Sequence, residues 1–324
     1  MPRSFADRLP LAGTEIDRDH RSRSGGIDAL LADPAARAVV LHNGRALLAD
    51  VASLALVPVG SVEHQLAVYL GRTVTESTDV PAGTPVLAVL VNDEQAKTLA
   101  ESQLSDAEDA DARVAVWGDL RRLGHLLTTR DAGLFAQALG IINWHAAYGF
   151  SPGTGALTEV TNAGWTREQP DTGRQLFPRT DAAVIMAVTD ADDRMLLGSS
   201  PRWEPNRFSV LAGFVEPGET LEQAVVREVW EEAGLRVTDP VYLGSQPWPF
   251  PASIMLGFHA RIADGASTEP VPDGDEIVEL RWFTRADLAD AVATGEILLP
   301  GAVSIARTII EEWFGEEIDD GARR

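Results

Sequence analysis

The chain has no cysteine among its 324 residues and a single lysine, Lys97. Zero cysteine excludes disulfides, thiolate nucleophiles, iron–sulfur clusters and every zinc site built on thiolates; it agrees with a reducing cytoplasm. The lone lysine lies in EQAKT with no glycine-rich loop before it, so a P-loop is excluded and a lysine Schiff base would rest on that one residue. Basic residues are scarce as a class, with 27 Lys plus Arg against 49 Asp plus Glu and a net charge of −22. Polyanions are bound through an excess of Lys and Arg, so this balance disfavours a protein that coats nucleic acid or an anionic membrane. Any polyanionic ligand needs a local solution. Long apolar runs are missing too: neither the start, MPRSFADRLPLAGTE, nor any later stretch approaches the roughly 20 residues of a membrane helix. Neither signal peptide nor anchor is expected.

What is present, 45% hydrophobic residues, suffices for about two domains. Residues 36–127 alternate short apolar runs with turn signals, and Asn43-Gly44 between two such runs predicts a hairpin. Val86–Val91 reads as a buried strand, followed by an Asn-capped helix in NDEQAKTLAESQL. A long helix is expected from Arg130 to Tyr148, with Asp131 as its cap. The next segment, FSPGTGALTEVTNAGWTREQPDTGRQLFPR, has a linker's composition. Beyond Arg179, strands and helices mix: AAVIMAV, MLLGS and FSVLAGF, a helix from Thr220 to Ala233, strands near VYLGS, SIMLGFHARI and IVELRWF, and a helix from about Ser304 to Phe314. The fold class expected is α/β (α+β), with boundaries at 1–128, 129–180 and 181–324.

The chemistry concentrates in GFVEPGETLEQAVVREVWEEAGL, beginning at Gly213. Glu228, Glu231 and Glu232 stand three and four apart, which places their carboxylates on one helical face. Like charges at that spacing repel unless a cation lies between them. Arg227 is placed to pair with Glu231 and Arg236 with Glu232, and Glu219, eight residues before Arg227, to brace the loop against the helix. Oxygen ligands without Cys or His suit magnesium or manganese rather than zinc. A solvated acidic face is the ordinary explanation of such a cluster. The full spacing argues otherwise, because the segment resembles the Nudix hydrolase box, G-x5-E-x7-R-E-U-x-E-E-x-G-U with U apolar, at Gly213, Glu219, Arg227, Glu228, Val229, Glu231, Glu232, Gly234 and Leu235. Chance produces such a match on the order of once in ten million chains of this length.

The resemblance implies a Nudix α/β/α sandwich, preceded here by a β-rich N-terminal domain, and hydrolysis of a nucleoside diphosphate linked to another group. It implies that Glu228 and Glu232 take the metal, and that Glu231 is either a further ligand or a base. Downstream, SQPWPFPAS (Ser245–Ser253) alternates three prolines with Trp248 and Phe250, stiffening the chain around two rings able to stack on a base; packing of both rings on the domain is the alternative. The stretch is similar to the SQPWPFPxS signature of the NADH pyrophosphatase branch of the family, and the likeness runs from about Leu120 onward. It implies that the Ala212 carbonyl and Glu276 join the metal site, with Glu276 on the acidic strand and Glu279 as second choice. It implies nucleotide contacts from Gln246, Pro247, Trp248, Pro249, Phe250, Pro251, Ala252, Ser253 and Ala306, and stacking by Phe177 and Phe214. Phe177 stands where the branch often has tyrosine, so stacking is kept and a hydroxyl lost. Arg121, or equally Arg122, is the candidate for binding phosphate.

Members of the branch carry C-x2-C-x14-C-x2-C between the joint helix and the hydrolase domain. Here Ser151, Thr154, Gln169 and Thr172 hold those positions, with Gly155 and Gly173 after each pair. Hydroxyls and an amide are poor zinc ligands, so the expectation is a degenerate zinc-ribbon-like segment without zinc; a disordered linker is the alternative. The activity implied is magnesium- or manganese-dependent cleavage of NADH, and less readily NAD, to nicotinamide mononucleotide and AMP, together with removal of the NAD cap from RNA gripped mainly by that cap. A cytoplasmic homodimer without membrane partners is implied. The rivals are hydrolysis of ADP-ribose or another dinucleotide, and a nucleotide-sensing module that does not cleave. The six histidines show no metal spacing.

Overall fold

The computed structural model describes residues 4–13, 15–106 and 116–319. Contacts divide the chain into two units, one formed by Gly13–Thr180 with Trp248–Ala252 and the other by Met1–Ala12, Asp181–Pro247 and Ser253–Arg324.

In the first unit, strands β1 (Ile16–Asp17), β2 (Arg37–His42), β3 (Arg45–Asp50), β4 (Ser53–Leu54), β5 (Leu56–Pro58), β6 (Leu66–Thr73), β7 (Pro85–Leu90) and β8 (Trp117–Gly118) make one sheet ordered β1-β6-β7-β2-β3-β4, with β5 on β2 and β8 on β3. Asn43 and Gly44 turn β2 into β3 with positive φ at both residues, the left-handed pair a tight hairpin requires. Helices α1 (His20–Arg23), α2 (Asp28–Leu31), α3 (Asp93–Asp106) and α4 (Leu120–Leu123) are accompanied by the long α5 (Thr129–Ala147). Its cap is Thr128, whose side chain accepts from the Asp131 amide. Asp131 is not the cap: its buried carboxylate instead accepts from the Leu54 amide at 2.9 Å and from Arg130. Helix α5 buries Leu134, Phe135, Ala138 and Ile141 and packs on β1, β2, β6 and β7, which ties it to this unit, and the unit continues to Thr180.

Residues 150–178 form no disordered linker. They fold into a sheet of β9 (Glu159–Thr161), β10 (Thr166–Gln169) and β11 (Arg174–Leu176), ordered β11-β10-β9. Two matching turns accompany it, one before β9 and one joining β10 to β11. The Gly155 amide donates to the Ser151 carbonyl at 2.8 Å and the Gly173 amide to the Gln169 carbonyl at 2.9 Å, with both glycines left-handed. Thr154 Oγ1 donates to Gln169 Oε1 at 3.1 Å, joining one turn to the other.

In the second unit, β12 (Asp181–Thr189), β13 (Met195–Ser199), β14 (Leu211–Phe214), β15 (Val237–Trp248), β16 (Ser253–Ile262) and β17 (Glu279–Phe283) form a sheet ordered β15-β16-β12-β13-β17, with β14 also on β12. Helices α6 (Leu221–Ala233), α7 (Arg285–Ala293) and α8 (Ile305–Phe314) accompany it. Alternation along β12 builds the layers. Val184, Met186 and Val188 pack with Ala224, Val225 and Val229 of α6, whereas Ile185 and Ala187 pack with Ile305, Ile309 and Ile310 of α8. This is an α/β/α sandwich with two cores, in which each fully buried aliphatic side chain contributes about 2 kcal/mol. Leu9 is buried in the second core, with Phe5 and Ala12 against it, so the segment ending at Ala12 belongs to this unit and not to an N-terminal domain. Helix α7 has no counterpart among the elements expected from the sequence.

Candidate active site

Helix α6 begins where a reciprocal capping box holds it: Thr220 accepts from the Gln223 amide, and the Gln223 side chain accepts from the Thr220 amide. It ends at Gly234, which is left-handed. Between these stops the apolar stripe Ala224, Val225 and Val229 faces the core, and the same rotation carries Glu228 and Glu232 inward to 8% and 5% exposure. Burial of two carboxylates on adjacent turns is costly unless cations compensate.

Arg227 compensates part of it. Its Nε and Nη2 grip both oxygens of Glu219 at 2.8 Å, Nη1 donates to Glu228 at 2.8 Å and to Glu231 at 2.9 Å, and Nη2 also donates to the Phe214 carbonyl at 2.8 Å. One guanidinium thus fastens loop, strand and helix. Burial nevertheless raises the Glu228 pKa, against the lowering effect of Arg227. Glu232 has no arginine: Arg236 stacks on the Trp230 ring at 3.5 Å instead of pairing with it. Burial first, then the charges of Glu228, Glu276 and Asp273, push Glu232 up to about 8. Its Oε2 is buried without a hydrogen-bond partner, an orphaned acceptor of the kind a cation satisfies.

The strand β14 supplies the opposite wall. Ala212 and Gly213 pair with Ile185 and Val184, and a Cβ on Gly213 would lie 1.9 Å from the Glu228 carboxyl carbon. Only glycine lets the strand pass this close. Glu276 is exposed and lies on the loop before β17, not on a strand as expected. The loop is shaped by Asp273, whose carboxylate accepts from the amides of Asp275, Glu276 and Ile277. Glu279 does open β17, and it is paired with Arg281 at 2.6 Å. Among the described residues no three His, Asp or Glu side chains converge around one point at ligating distance, and Glu228 is turned toward Arg227. The donor set still fits a hard cation: oxygens only, two buried carboxylates, one of them orphaned.

The aromatic loop is built differently from its linker-like composition. Gln246, Pro247 and Trp248 are the last residues of β15 and Ser253 opens β16, so only Pro249–Ala252 turn. Gln246 is fully buried and occupied, accepting from the Leu11 amide at 3.3 Å and donating to the Val303 carbonyl at 3.0 Å. Ala306 is likewise buried, in the core beneath α8. Within the first unit the rings of Trp248 and Phe250 meet edge to face at 4.9 Å, and Arg121 lies over Phe250 at 4.1 Å. Arg122 makes no such ring contact among the described residues. Asn143 Nδ2 donates to the carbonyls of Pro249 and Pro251 at 3.0 and 3.3 Å; no sequence signal singles it out from the middle of a helix. Phe177 and Phe214 are 64% and 60% exposed.

Comparison with known proteins places two family matches on the chain. Residues 178–300 match the family described as NUDIX domain, and 35–144 that described as NADH pyrophosphatase-like rudimentary NUDIX domain. The chain is 40% identical over 97% of its length, and 94% of the relative's, to the NAD-capped RNA hydrolase NudC of Mycobacterium bovis. It is 39% identical over 58% of its length to the human NAD-capped RNA hydrolase NUDT12, covering 43% of that protein. A NUDIX hydrolase from Nitrosomonas europaea, known as a crystal structure, is 22% identical with a TM-score of 0.39 over 52% of this chain and 94% of its own.

Proposed function

Since the chain belongs to the Nudix hydrolase family, in its NADH pyrophosphatase and NAD-capped RNA hydrolase branch, we propose that it cleaves the diphosphate of NADH and NAD to nicotinamide mononucleotide and AMP, and removes the NAD cap from RNA. The observation that carries this reading is the pair of buried glutamates on α6, Glu228 tethered to Arg227 and Glu232 with an unpartnered oxygen. Two relatives bearing the name NAD-capped RNA hydrolase support the choice of substrate.

Nudix hydrolases generally use divalent metal ions, and here magnesium or manganese would be held by Glu228, Glu232, Glu276 and the Ala212 carbonyl. Such an ion, when bound, neutralises the diphosphate and acidifies a water for attack on phosphorus. The chain's own groups do the rest. Arg227 and Glu219 keep α6 against β14, so the carboxylates stay in place through turnover. Glu231, 56% exposed at its side chain, is the base left to take the water's proton when Glu232 gives its unpartnered oxygen to the ion; we assign the essential role in turnover to Glu232, because the ion must be held. Trp248, Phe250, Phe177 and Phe214 offer ring faces to the planar bases, and Arg121 a guanidinium to phosphate. Gln246 and Ala306 shape the nucleotide site from beneath, since both side chains are buried. Ser151, Thr154, Gln169 and Thr172 hold no zinc in this reading, and the protein acts as a cytoplasmic homodimer.

Chromatography of products from NADH, NAD, ADP-ribose and NAD-capped RNA with magnesium tests the proposal. AMP and reduced nicotinamide mononucleotide are expected from NADH, and E232Q should lose turnover at least about 100-fold while still binding NADH. Turnover by E232Q within threefold of the wild type, or a preference for ADP-ribose, overturns it.

A further inference from the structure

The first unit carries a basic cluster in an otherwise acidic chain. The segment Asp17–Arg23 places Arg18, Arg21 and Arg23 within six residues, on and beside the short helix α1. Two of these converge on one indole. The guanidinium of Arg23 lies 3.8 Å from the Trp165 ring centre and that of Arg18 lies 5.9 Å from it. The indole is itself fixed, because Trp165 Nε1 donates to the Tyr69 carbonyl at 2.6 Å. Arg23 Nη2 donates to the Arg18 carbonyl at 3.2 Å, and Arg23 Nε has no hydrogen-bond partner.

The nearby carboxylates do not neutralise this pair. Asp19 is committed elsewhere: its Oδ2 accepts from Tyr69 at 2.8 Å and from Arg72 at 3.0 Å. Asp17 Oδ1 accepts from the Asp19 amide. Among the described residues neither Arg18 nor Arg23 has a carboxylate within ion-pair distance. Burial, and then the charge of Arg18, push the Arg23 guanidinium below its ordinary pKa, and the opposing charge of Asp19 does not offset them. Two like charges held near one indole are in the condition an incoming anion relieves.

We propose that Arg18, Arg23 and Trp165 form a binding site for the backbone of single-stranded RNA, with the guanidiniums taking phosphates and the indole and guanidinium planes supporting a base. The ligand class follows from the combination, since a phosphodiester supplies the anion and a base the planar face, and fixed aromatic and arginine planes are what unpaired bases stack on. The proposal rests on the reading of the chain as an NAD-cap hydrolase in one respect only, that its RNA is the body behind the cap. It supplies the local solution that a chain of net charge −22 requires.

The test measures fluorescence anisotropy of an uncapped, 5′-monophosphorylated RNA of about 12 nucleotides on the full chain, across salt concentrations, with NADH hydrolysis run in parallel. R18A/R23A should weaken RNA binding about tenfold and flatten the salt dependence by about 1.4 log units per decade, the share of two phosphate contacts on a single strand. R18K/R23K, which keeps both charges, should retain the slope, and both variants should hydrolyse NADH as the wild type does. RNA affinity unchanged in R18A/R23A overturns the proposal, as does a slope lost equally in R18K/R23K. Equal binding of phosphatidylserine vesicles by the same residues overturns the RNA assignment. A wild-type chain that binds RNA through these arginines yet cleaves neither NADH nor capped RNA sinks the hydrolase reading and leaves this site standing.

Discussion

Replacing Gly213 by alanine perturbs the proposed active site without touching a charged group. The added methyl would stand 1.9 Å from the carboxyl carbon of Glu228 and 2.0 and 2.2 Å from its oxygens. Ordinary contact needs about 3.5 Å, so a displacement of about 1.5 Å is forced. The strand resists, because Gly213 is held in register opposite Val184 of β12, with Ala212 and Phe214 paired on either side of it. The carboxylate must therefore move, and it is tied to Arg227 at 2.8 Å, which is tied in turn to Glu219, Glu231 and the Phe214 carbonyl. A misplacement of about 1 Å at a reacting centre costs about 100-fold in rate, or close to 3 kcal/mol of transition-state stabilisation. Overpacking adds about 1–3 kcal/mol of destabilisation. G213A should thus lose at least about 100-fold in kcat for NADH, with KM changed far less, and should melt several degrees lower. Thermal melting and steady-state kinetics with chromatographic detection of AMP check both. A variant with kcat within threefold of the wild type and an unchanged Tm would refute the argument that the strand must carry no side chain there.

The imidazole of His145 is buried, with Nε2 at 2.8 Å from the Gly164 carbonyl and Nδ1 at 3.0 Å from Arg167, and burial lowers its pKa from 6.5 to about 4. The unfolded chain therefore takes up a proton that the folded one refuses: the stabilisation is complete above pH 6.5 and is lost as pH falls toward 4. Denaturant unfolding should show about 2 kcal/mol lost through this group between pH 7 and pH 5, and His145→Gln should remove that share; an identical pH dependence in wild type and variant counts against it. Elemental analysis of the purified chain should find no stoichiometric zinc, and one zinc per chain would contradict the reading of Ser151, Thr154, Gln169 and Thr172 as positions without metal, on two turns joined by the Thr154–Gln169 hydrogen bond.

Local signals were legible where they are self-contained. Thr220, Gln223 and Gly234 mark both ends of α6 in the sequence itself, and Asn43-Gly44 marks its hairpin, because capping and turn chemistry act over a few residues. Glu219 bracing Arg227 was legible for the same reason. The second helix of the hydrolase unit, Arg285–Ala293, also had its signal, a reciprocal cap between Thr284 and Asp287, but its weak amphipathic pattern left it unread. Long-range partners were not legible. Nothing in the sequence says that Gln246 is consumed by Leu11 and Val303, that Asn143 holds Pro249 and Pro251, or that Arg236 prefers the Trp230 face to Glu232. Those choices depend on which surfaces the sheet brings together. EIVELRWF reads as one continuous strand carrying Glu276, whereas the Asp273 turn delays pairing until Glu279.

Strand β12 buries opposite faces against two different helices while also setting the position of Ala212 and Gly213 through its pairing with β14. A shift of one residue along that ladder would exchange the two apolar sets and, in the same motion, offer a bulkier neighbour to the glutamates. The accuracy with which this molecule presents its acidic groups is therefore inherited from oil-like side chains on the far side of the sheet. Selection on those aliphatic residues is, indirectly, selection on turnover.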